Sequence, residues 1–453
     1  MRDRQRAAID DLLYDWLADT GAPGASLVVV DDTETVHEAA FGARDLETND
    51  PTTPETLFGV ASITKSFCAL AVLQQVERGN LDFEDSVAEH TDVAFEDAAD
   101  VTIEQLLTHS SGLPNLATSE TLLGRLAGLG ESGIPFSDRD DLGQFLVDAG
   151  SERDDESTGR FLYSNTGYTL LSHAVEEASG RTFSDYVRSE ILDPLGMERS
   201  TFDVDAVAED PNHATPYRGT DEGFEATTFP ARELSRAPGG LCSTPRELGR
   251  YLRFNLAGGE LGGTRIIDEA LLSRAHEGHV DPLPRYGEGY GYGWMRKTVA
   301  GAQVVEHGGS LLTASAAIGF LPDEDLGIAL CCVGQPAIHP MDIFDGVVAI
   351  TQDERPTDAV DSLAFHDRVE KLTGEYASYR GVVTATIDIE NGHLRADINA
   401  GALEDSHILV PDDPSLSETT FSVPQPGRSM PVEFVETEAG IDLFFDRYRL
   451  HKQ

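Results

Sequence analysis

The sequence predicts an α/β (α+β) domain over residues 1–355 and a small all-β domain over 362–453. Three observations carry that reading. Strand-like apolar stretches open the first part and return only near its end, with helical periodicity between them. A polar joint at Asp353–Asp361 then interrupts the chain, and beyond it the apolar runs alternate with the period of a strand. A chain of 453 residues is long enough for two domains, and 40% hydrophobic residues with 20 Phe suffice for real cores.

The elements follow in order. Ala8, Leu12, Leu13, Trp16 and Leu17 recur as in an amphipathic opening helix. Ala25–Val30 and Val36–Phe41 read as strands around the polar turn Asp31–Glu34. Ser62–Glu77 reads as a helix from the spacing of Ile63, Phe67, Leu70 and Leu73, with Gly79 just past its end as the C′ residue. The middle section predicts helices at Ile103–Leu107, Leu142–Ala149, Thr166–Ala178, Ser184–Leu192 and Pro245–Leu256. Strands with Gly-rich turns return from Tyr290 to Val333, and a helix follows at Pro340–Thr351. One sheet completed by distant parts of the chain accounts for this order. In the tail, Val383, Ala385, Ile387 and Ile389 alternate, Asn391-Gly392 signals a hairpin, and Leu394, Ala396 and Ile398 alternate again. Val432–Val435, Ile441–Phe445 and Tyr448–Leu450 continue the pattern, which suits a small barrel or sandwich.

Charge limits the partners. Asp and Glu number 80 against 33 Lys and Arg, a formal net charge of −47, and only Lys65, Lys297, Lys371 and Lys452 are lysines. Such a chain repels phosphates, so neither nucleic acid nor an anionic membrane surface is expected as a partner. No apolar run approaches the ~18 residues of a membrane-spanning helix. The opening residues contain no continuous apolar h-region, so no signal peptide is read. Cys68, Cys242, Cys331 and Cys332 form no metal-ligand pattern, and the adjacent pair sits in an apolar run as buried strand residues do. A reducing cytoplasm fits. His276 and His279 have no third ligand nearby, so no metal is expected.

The chemistry centres on Ser62-Ile63-Thr64-Lys65. Residues i and i+3 of a helix share a face, so the Lys65 amine reaches the Ser62 hydroxyl. Unpaired N–H groups at a helix N-terminus stabilise an oxyanion there. A lysine in a semi-apolar pocket can act as the base. Lys65 is the only lysine before residue 297, which sets it apart from a surface cation. Further on, Tyr163-Ser164-Asn165 offers a phenol to relay a proton and an amide to orient Lys65 or a substrate carbonyl. His307-Gly308-Gly309-Ser310 lets a substrate backbone approach a strand edge, with the Ser310 N–H as a second oxyanion donor.

Ser-x-x-Lys, Tyr-x-Asn and His-Gly-Gly, in that order, resemble the serine β-lactamase and penicillin-binding-protein superfamily. Tyr at the head of the second motif, and His-Gly-Gly in place of Lys-Thr-Gly, look like its class C-like branch, which includes esterases, D-aminopeptidases and the CubicO group. Leu106–Pro114, Ala237–Pro245 and Tyr290–Trp294 are similar to three further segments of that family. The resemblance implies a β-lactamase-like domain, an antiparallel sheet flanked by helices with a helical subdomain. Leu372–Tyr376 and Gly440–Leu450 look like the lipocalin-like barrel of archaeal CubicO peptidases, which assembles them into closed octamers. A homo-oligomer, octameric as those are, is therefore implied.

The activity implied is that of a serine hydrolase needing no cofactor or metal. Ser62 attacks a carbonyl, Lys65 and Tyr163 move the proton, and Asn165 with His307–Ser310 holds the substrate. Short peptides are the expected substrates, with small esters or β-lactams as alternatives. A protonated His307 would serve a peptide carboxylate, and His109 reads as structural. The other class of function is a catalytically silent scaffold. Acid excess with little lysine looks like a protein of a salt-in halophile, whose self-repulsion molar salt would screen to ~3 Å. Circular dichroism against KCl concentration is then expected to show a fold that requires salt; a stable fold in salt-free buffer contradicts that reading.

Overall fold

The computed structural model describes residues 1–91, 93, 100–115, 142–143, 146, 151, 153, 156–220, 223–229, 235–282, 287–390, 392–401, 404–413, 416, 418–438 and 440–453. Its internal contacts divide into two compact units, Met1–Phe344 and Asp345–Gln453.

The first unit is organised by one strand. β1 (Gly24–Asp31) is buried at every residue but its last, because Leu27-Val28-Val29-Val30 has apolar material on both faces. One neighbour is local: β2 (Thr35–Asp45), which pairs on to β3 (Asp50–Pro51). The other comes from far along the chain. After β4 (Gly289–Tyr290), β5 (Met295–Val299), β6 (Ala302–Leu311) and β7 (Ala314–Leu321), strand β8 (Leu326–Val333) sets Cys332 opposite Ala25 and Leu326 opposite Asp31. The eight-stranded sheet runs β4-β5-β6-β7-β8-β1-β2-β3 and is antiparallel throughout. Distant parts of the chain close it, as the sequence predicts. Cys331 and Cys332 lie buried in β8 as free thiols.

Helices cover the sheet. α1 (Asp3–Thr20) buries Ile9, Leu13, Trp16 and Leu17, and its Trp16 indole donates to the Ile338 carbonyl at 3.0 Å. α2 (Thr64–Glu77) is buried at every residue from Thr64 to Gln75, so it is a core helix rather than an amphipathic one. Gly79, φ 72°, follows it as expected. α3 (Ile103–Leu107) and α4 (Asn165–Ser179) pack with one another, and α4 also packs on α2. α5 (Pro245–Leu256) starts with Pro at N1 behind the Thr244 cap and packs on β1 and β8, with Gly249 against Val28 and Val30 and Leu252 against Gly327. Tyr251 stacks on Phe67 of α2 at 3.9 Å, which ties the two helices together.

Three expectations need correction or restriction. The helix does not begin at Ser62: residues Ala61–Ile63 form a tight 3-10 turn, and α2 proper begins at Thr64. Ser184–Leu192 is one α-turn, Phe183–Val187, continued by a wider π-turn, Arg188–Leu192. Leu142–Ala149 falls mostly outside the described residues, where only 142, 143 and 146 are placed, all helical.

Helix α6 (Pro340–Thr351) agrees with the sequence and spans the division point. Beyond it the tail is not β throughout. α7 (Asp361–Leu372) precedes the strands, because Phe365, Val369 and Leu372 recur on one helical face and pack into the core of the tail. Eight strands follow: β9 (Gly374–Ala377), β10 (Thr384–Glu390), β11 (His393–Asn399), β12 (Glu404–Pro411), β13 (Thr420–Gln425), β14 (Arg428–Thr437), β15 (Gly440–Phe445) and β16 (Tyr448–Lys452). They form a closed barrel, completed where β9 pairs with β16. Ala385, Ile387, Leu394, Ala396, Phe421, Phe434, Leu443 and Leu450 fill it, with Val369 and Leu372 of α7 joining that core. Ile389 breaks the expected run, being 37% exposed near the strand end. Asn391 lies outside the described residues, and Gly392 takes φ 76° in the turn. Leu443→Ala removes a fully buried side chain and is expected to cost about 2–5 kcal/mol in chemical denaturation.

Candidate active site

Ser62 sits on a turn that the backbone would not adopt unaided. Ala61, just before it, has φ 49°, in the left-handed region that costs an L-residue about 1–3 kcal/mol. Surrounding segments hold it there. The Val60 N–H donates to Leu241 O at 3.0 Å, and the Leu241 N–H donates to Thr64 Oγ1 at 3.1 Å. From the other side comes β6: a Cβ on Gly309 would lie 2.2 Å from Val60 O, so only glycine allows this approach. The turn leaves Ser62 half-buried while its neighbours are sealed in.

Lys65, one turn later, is fully buried. Its Nζ donates to Ser62 Oγ at 3.1 Å, Asn165 Oδ1 at 2.8 Å and Pro238 O at 2.7 Å. An ammonium has three protons, and here three acceptors meet it. The rings of Tyr163 and Tyr168 lie beneath it, 4.7 and 5.6 Å from Nζ, close enough for cation–π attraction.

The Tyr163–Asn165 turn enters α4. Ser164, not Asn165, caps the helix, its hydroxyl accepting from the Gly167 N–H. That leaves the Asn165 amide oxygen for Lys65. Tyr163 is half-buried, packed with Phe161 and Tyr290. The structure therefore gathers Ser62, Lys65, Tyr163 and Asn165 at one point.

His307–Ser310 lies on β6 beside the Ser62 turn. Pairing of β6 with β5 stops at Glu306, opposite Met295, whereas pairing with β7 continues to Leu311. Among the described strands, one edge of residues 307–311 thus has no partner. Ser310 is exposed, and its hydroxyl meets the Gln335 amide at 2.8 Å. Gly308 packs where a Cβ would press on Met341. His307 departs from the charged anchor expected of it. It is 1% exposed, its Nδ1 faces Gly308 O at 2.6 Å, and its Nε2 faces the Tyr290 hydroxyl at 3.4 Å. Burial, and secondarily the Lys65 charge, push its pKa down from 6.5 to about 3, so the ring is neutral.

Ala237–Pro245 and Tyr290–Trp294, to which the sequence assigns no roles, both contribute to the site. The first supplies the Pro238 carbonyl to Lys65. In the second, Gly293 sits where a Cβ would lie 2.8 Å from Lys65 O, and Tyr290 reaches both His109 and His307. A backbone carbonyl leaves no mark on side-chain pattern, so Pro238 could not be found that way. His276 and His279 turn to Asn255 and the Arg274 carbonyl, and no cluster among the described residues is suited to a metal ion. Among them also, no helix is long and apolar enough to cross a membrane.

The neutral histidines have a consequence for stability. Burial, then the charges of Lys65 and His307, likewise push His109 well below 6.5. The unfolded chain binds protons at both residues from about pH 6.5 downward, while the native one does not until far lower pH. Their stabilisation is complete above 6.5 and is lost as pH falls through the window toward 3. The midpoint of urea unfolding at constant KCl is expected to drop between pH 7 and 5, less steeply in His307→Asn. Equal slopes in the two proteins contradict a neutral His307.

Comparison with known proteins agrees with this architecture. The Beta-lactamase family model matches residues 7–343, and the Pab87 octamerisation domain matches residues 356–451. The octameric penicillin-binding protein homologue from Pyrococcus abyssi has a similar structure, with TM-score 0.88 and 29% identity, covering 99% of this chain and 100% of that one. D-amino acid amidase from Ochrobactrum anthropi shares the fold, with TM-score 0.63 and 23% identity over 77% of this chain and 99% of that one. Protein flp of Staphylococcus aureus (strain MW2) is 24% identical over 336 residues, 71% of this chain. The chain spans 62% of the length of that relative. With three quarters of its length matched and the Ser62–Lys65 pair in place, the chain belongs to the beta-lactamase family.

Proposed function

We propose that the protein is a serine hydrolase that forms an acyl-enzyme on Ser62, with short peptides as substrates. The observation that carries the reading is the 3.1 Å contact between the buried Lys65 amine and Ser62 Oγ, on a strained turn. In the reaction, Lys65 gives up one of its three protons to water, and the freed lone pair takes the Ser62 proton as Oγ bonds to the substrate carbonyl carbon. The N–H groups of Ser62 and Ser310 receive the oxyanion. Tyr163 passes the proton to the leaving nitrogen or oxygen as that bond breaks, and water then cleaves the ester on Ser62. An extended substrate backbone lies along the open edge of residues 307–311. Asn165 holds Lys65 in line throughout.

Esters are the second substrate class, and one observation favours them over β-lactams. His307 brings no positive charge to the position where β-lactamases bind the substrate carboxylate, so amides and esters without that group are not disadvantaged. We also propose a homo-oligomer, octameric in form. That rests on the octamerisation-domain match and on the octameric relative of Pyrococcus abyssi.

Wild type and Ser62→Ala, assayed in molar KCl on L- and D-amino-acid peptides and p-nitrophenyl esters, test the reading. A loss of at least about 10³-fold with unchanged circular dichroism is expected. Equal turnover by both proteins, or a wild type that never acylates, refutes it. Ester turnover alone moves the protein to the second substrate class.

A further inference from the structure

His109 has no part in the scheme above, yet it lies between the two halves of the site. It follows α3 with φ 58°, a conformation kept only when its surroundings impose it. Its carbonyl accepts the Leu162 N–H at 2.7 Å, and its Nδ1 accepts the Ser164 N–H at 3.1 Å. A ring whose Nδ1 accepts carries its hydrogen on Nε2. Nε2 faces the Tyr290 hydroxyl at 3.1 Å, and that hydroxyl in turn lies 3.4 Å from His307 Nε2. Since His307 Nδ1 faces a carbonyl, its hydrogen sits there and its Nε2 is the acceptor. The donors therefore run one way, from Ser164 N–H to His109, Tyr290 and His307. The His109 ring also packs on Tyr163 at 4.3 Å, Tyr290 at 4.8 Å and Tyr168 at 5.0 Å, with Phe161 edge-on at 5.7 Å. Lys65 and His307 are the chargeable groups that act on it most.

We infer that His109, as an uncharged imidazole, is a positioning residue for acyl transfer: it holds the turn bearing Tyr163 and Asn165 and, through the Tyr290 hydroxyl, orients His307 on the substrate edge. The inference rests on the acyl-transfer reading of Ser62. Ser164 stands between Tyr163 and Asn165, so a shift of its N–H moves both relative to Lys65. A displacement of about 1 Å at such a point costs about 10²-fold in rate. The link also couples the base side of the site to the edge that carries Ser310, although the two are 145 residues apart in sequence (310 − 165).

Tyr290→Phe deletes only the linking hydroxyl, and His109→Asn tests the same link from the other end with a residue that tolerates positive φ. The full chain in molar KCl is treated with a fluorophosphonate probe, and phosphonylation of Ser62, in which Oγ bonds to phosphorus as fluoride leaves, is timed. Kcat and KM are measured on a p-nitrophenyl ester, with circular dichroism and Tm as the control. Each single variant is expected to be labelled and to turn over the ester about tenfold or more slowly, with KM within about twofold of wild type and the circular dichroism unchanged. The double variant is expected to be no slower than the slower single, because both substitutions cut one chain. Wild-type rates in a folded Tyr290→Phe, or fully additive losses, overturn the inference while leaving the acyl-transfer reading intact. A rate loss that only tracks a lowered Tm overturns it as well. A wild type that the probe leaves unlabelled overturns both.

Discussion

Placing an ammonium group inside a protein is costly unless every proton meets an acceptor, and Lys65 is where this chain meets that condition. The acceptors come from three separated stretches: Ser62 on the turn before α2, Asn165 at the start of α4 and the Pro238 carbonyl. Removing any one leaves a buried charge under-bonded, so the cation selects the arrangement that gathers all three. The site is in this sense a by-product of satisfying one lysine. The same argument explains why α2 is sealed along nearly its whole length: a helix exposed on one face would let water replace Asn165 or Pro238.

Glycine does the complementary work. Gly309 brings β6 against the Val60 carbonyl and Gly293 brings the β4–β5 connection against the backbone of Lys65. Both contacts are backbone to backbone, and a single methyl group would separate the layers. The electrostatic constraint and the steric one thus act on the same few atoms. The histidines add no charge to this region, which keeps Lys65 the single cation among the groups described there.

Much of this could be read from residues alone, for identifiable reasons. The strands around β1 and β8 announce themselves as apolar runs, and the Lys65 signal stands out because lysine is so scarce elsewhere. Helix α5 is legible from Pro245 and its amphipathic spacing. The 3-10 turn at Ser62 is not, because Ala61 carries no mark of its left-handed conformation; tertiary packing imposes it. Helix α7 was hidden by the alternating pattern that follows it. His307 shows the sharpest limit: a histidine's residue type says nothing about burial, and burial decides whether it carries charge.

The register of the central sheet bears on how the chain can be made. β1 finds β2 within a few residues, but its other partner, β8, lies about 300 residues later. At a synthesis rate of about 5–20 residues per second, the apolar edge Leu27–Val30 waits some 15–60 s for its neighbour. Over that interval the nascent chain presents a bare strand edge able to pair with another copy of itself. A sheet whose core strand is laid down early and covered late exchanges rapid local folding for a long-range closure, and contact order of this kind slows folding. The tail postpones matters again, since β16 must be made before the barrel can shut on β9. Each unit is therefore finished by the last of its own strands, β8 in the first and β16 in the second.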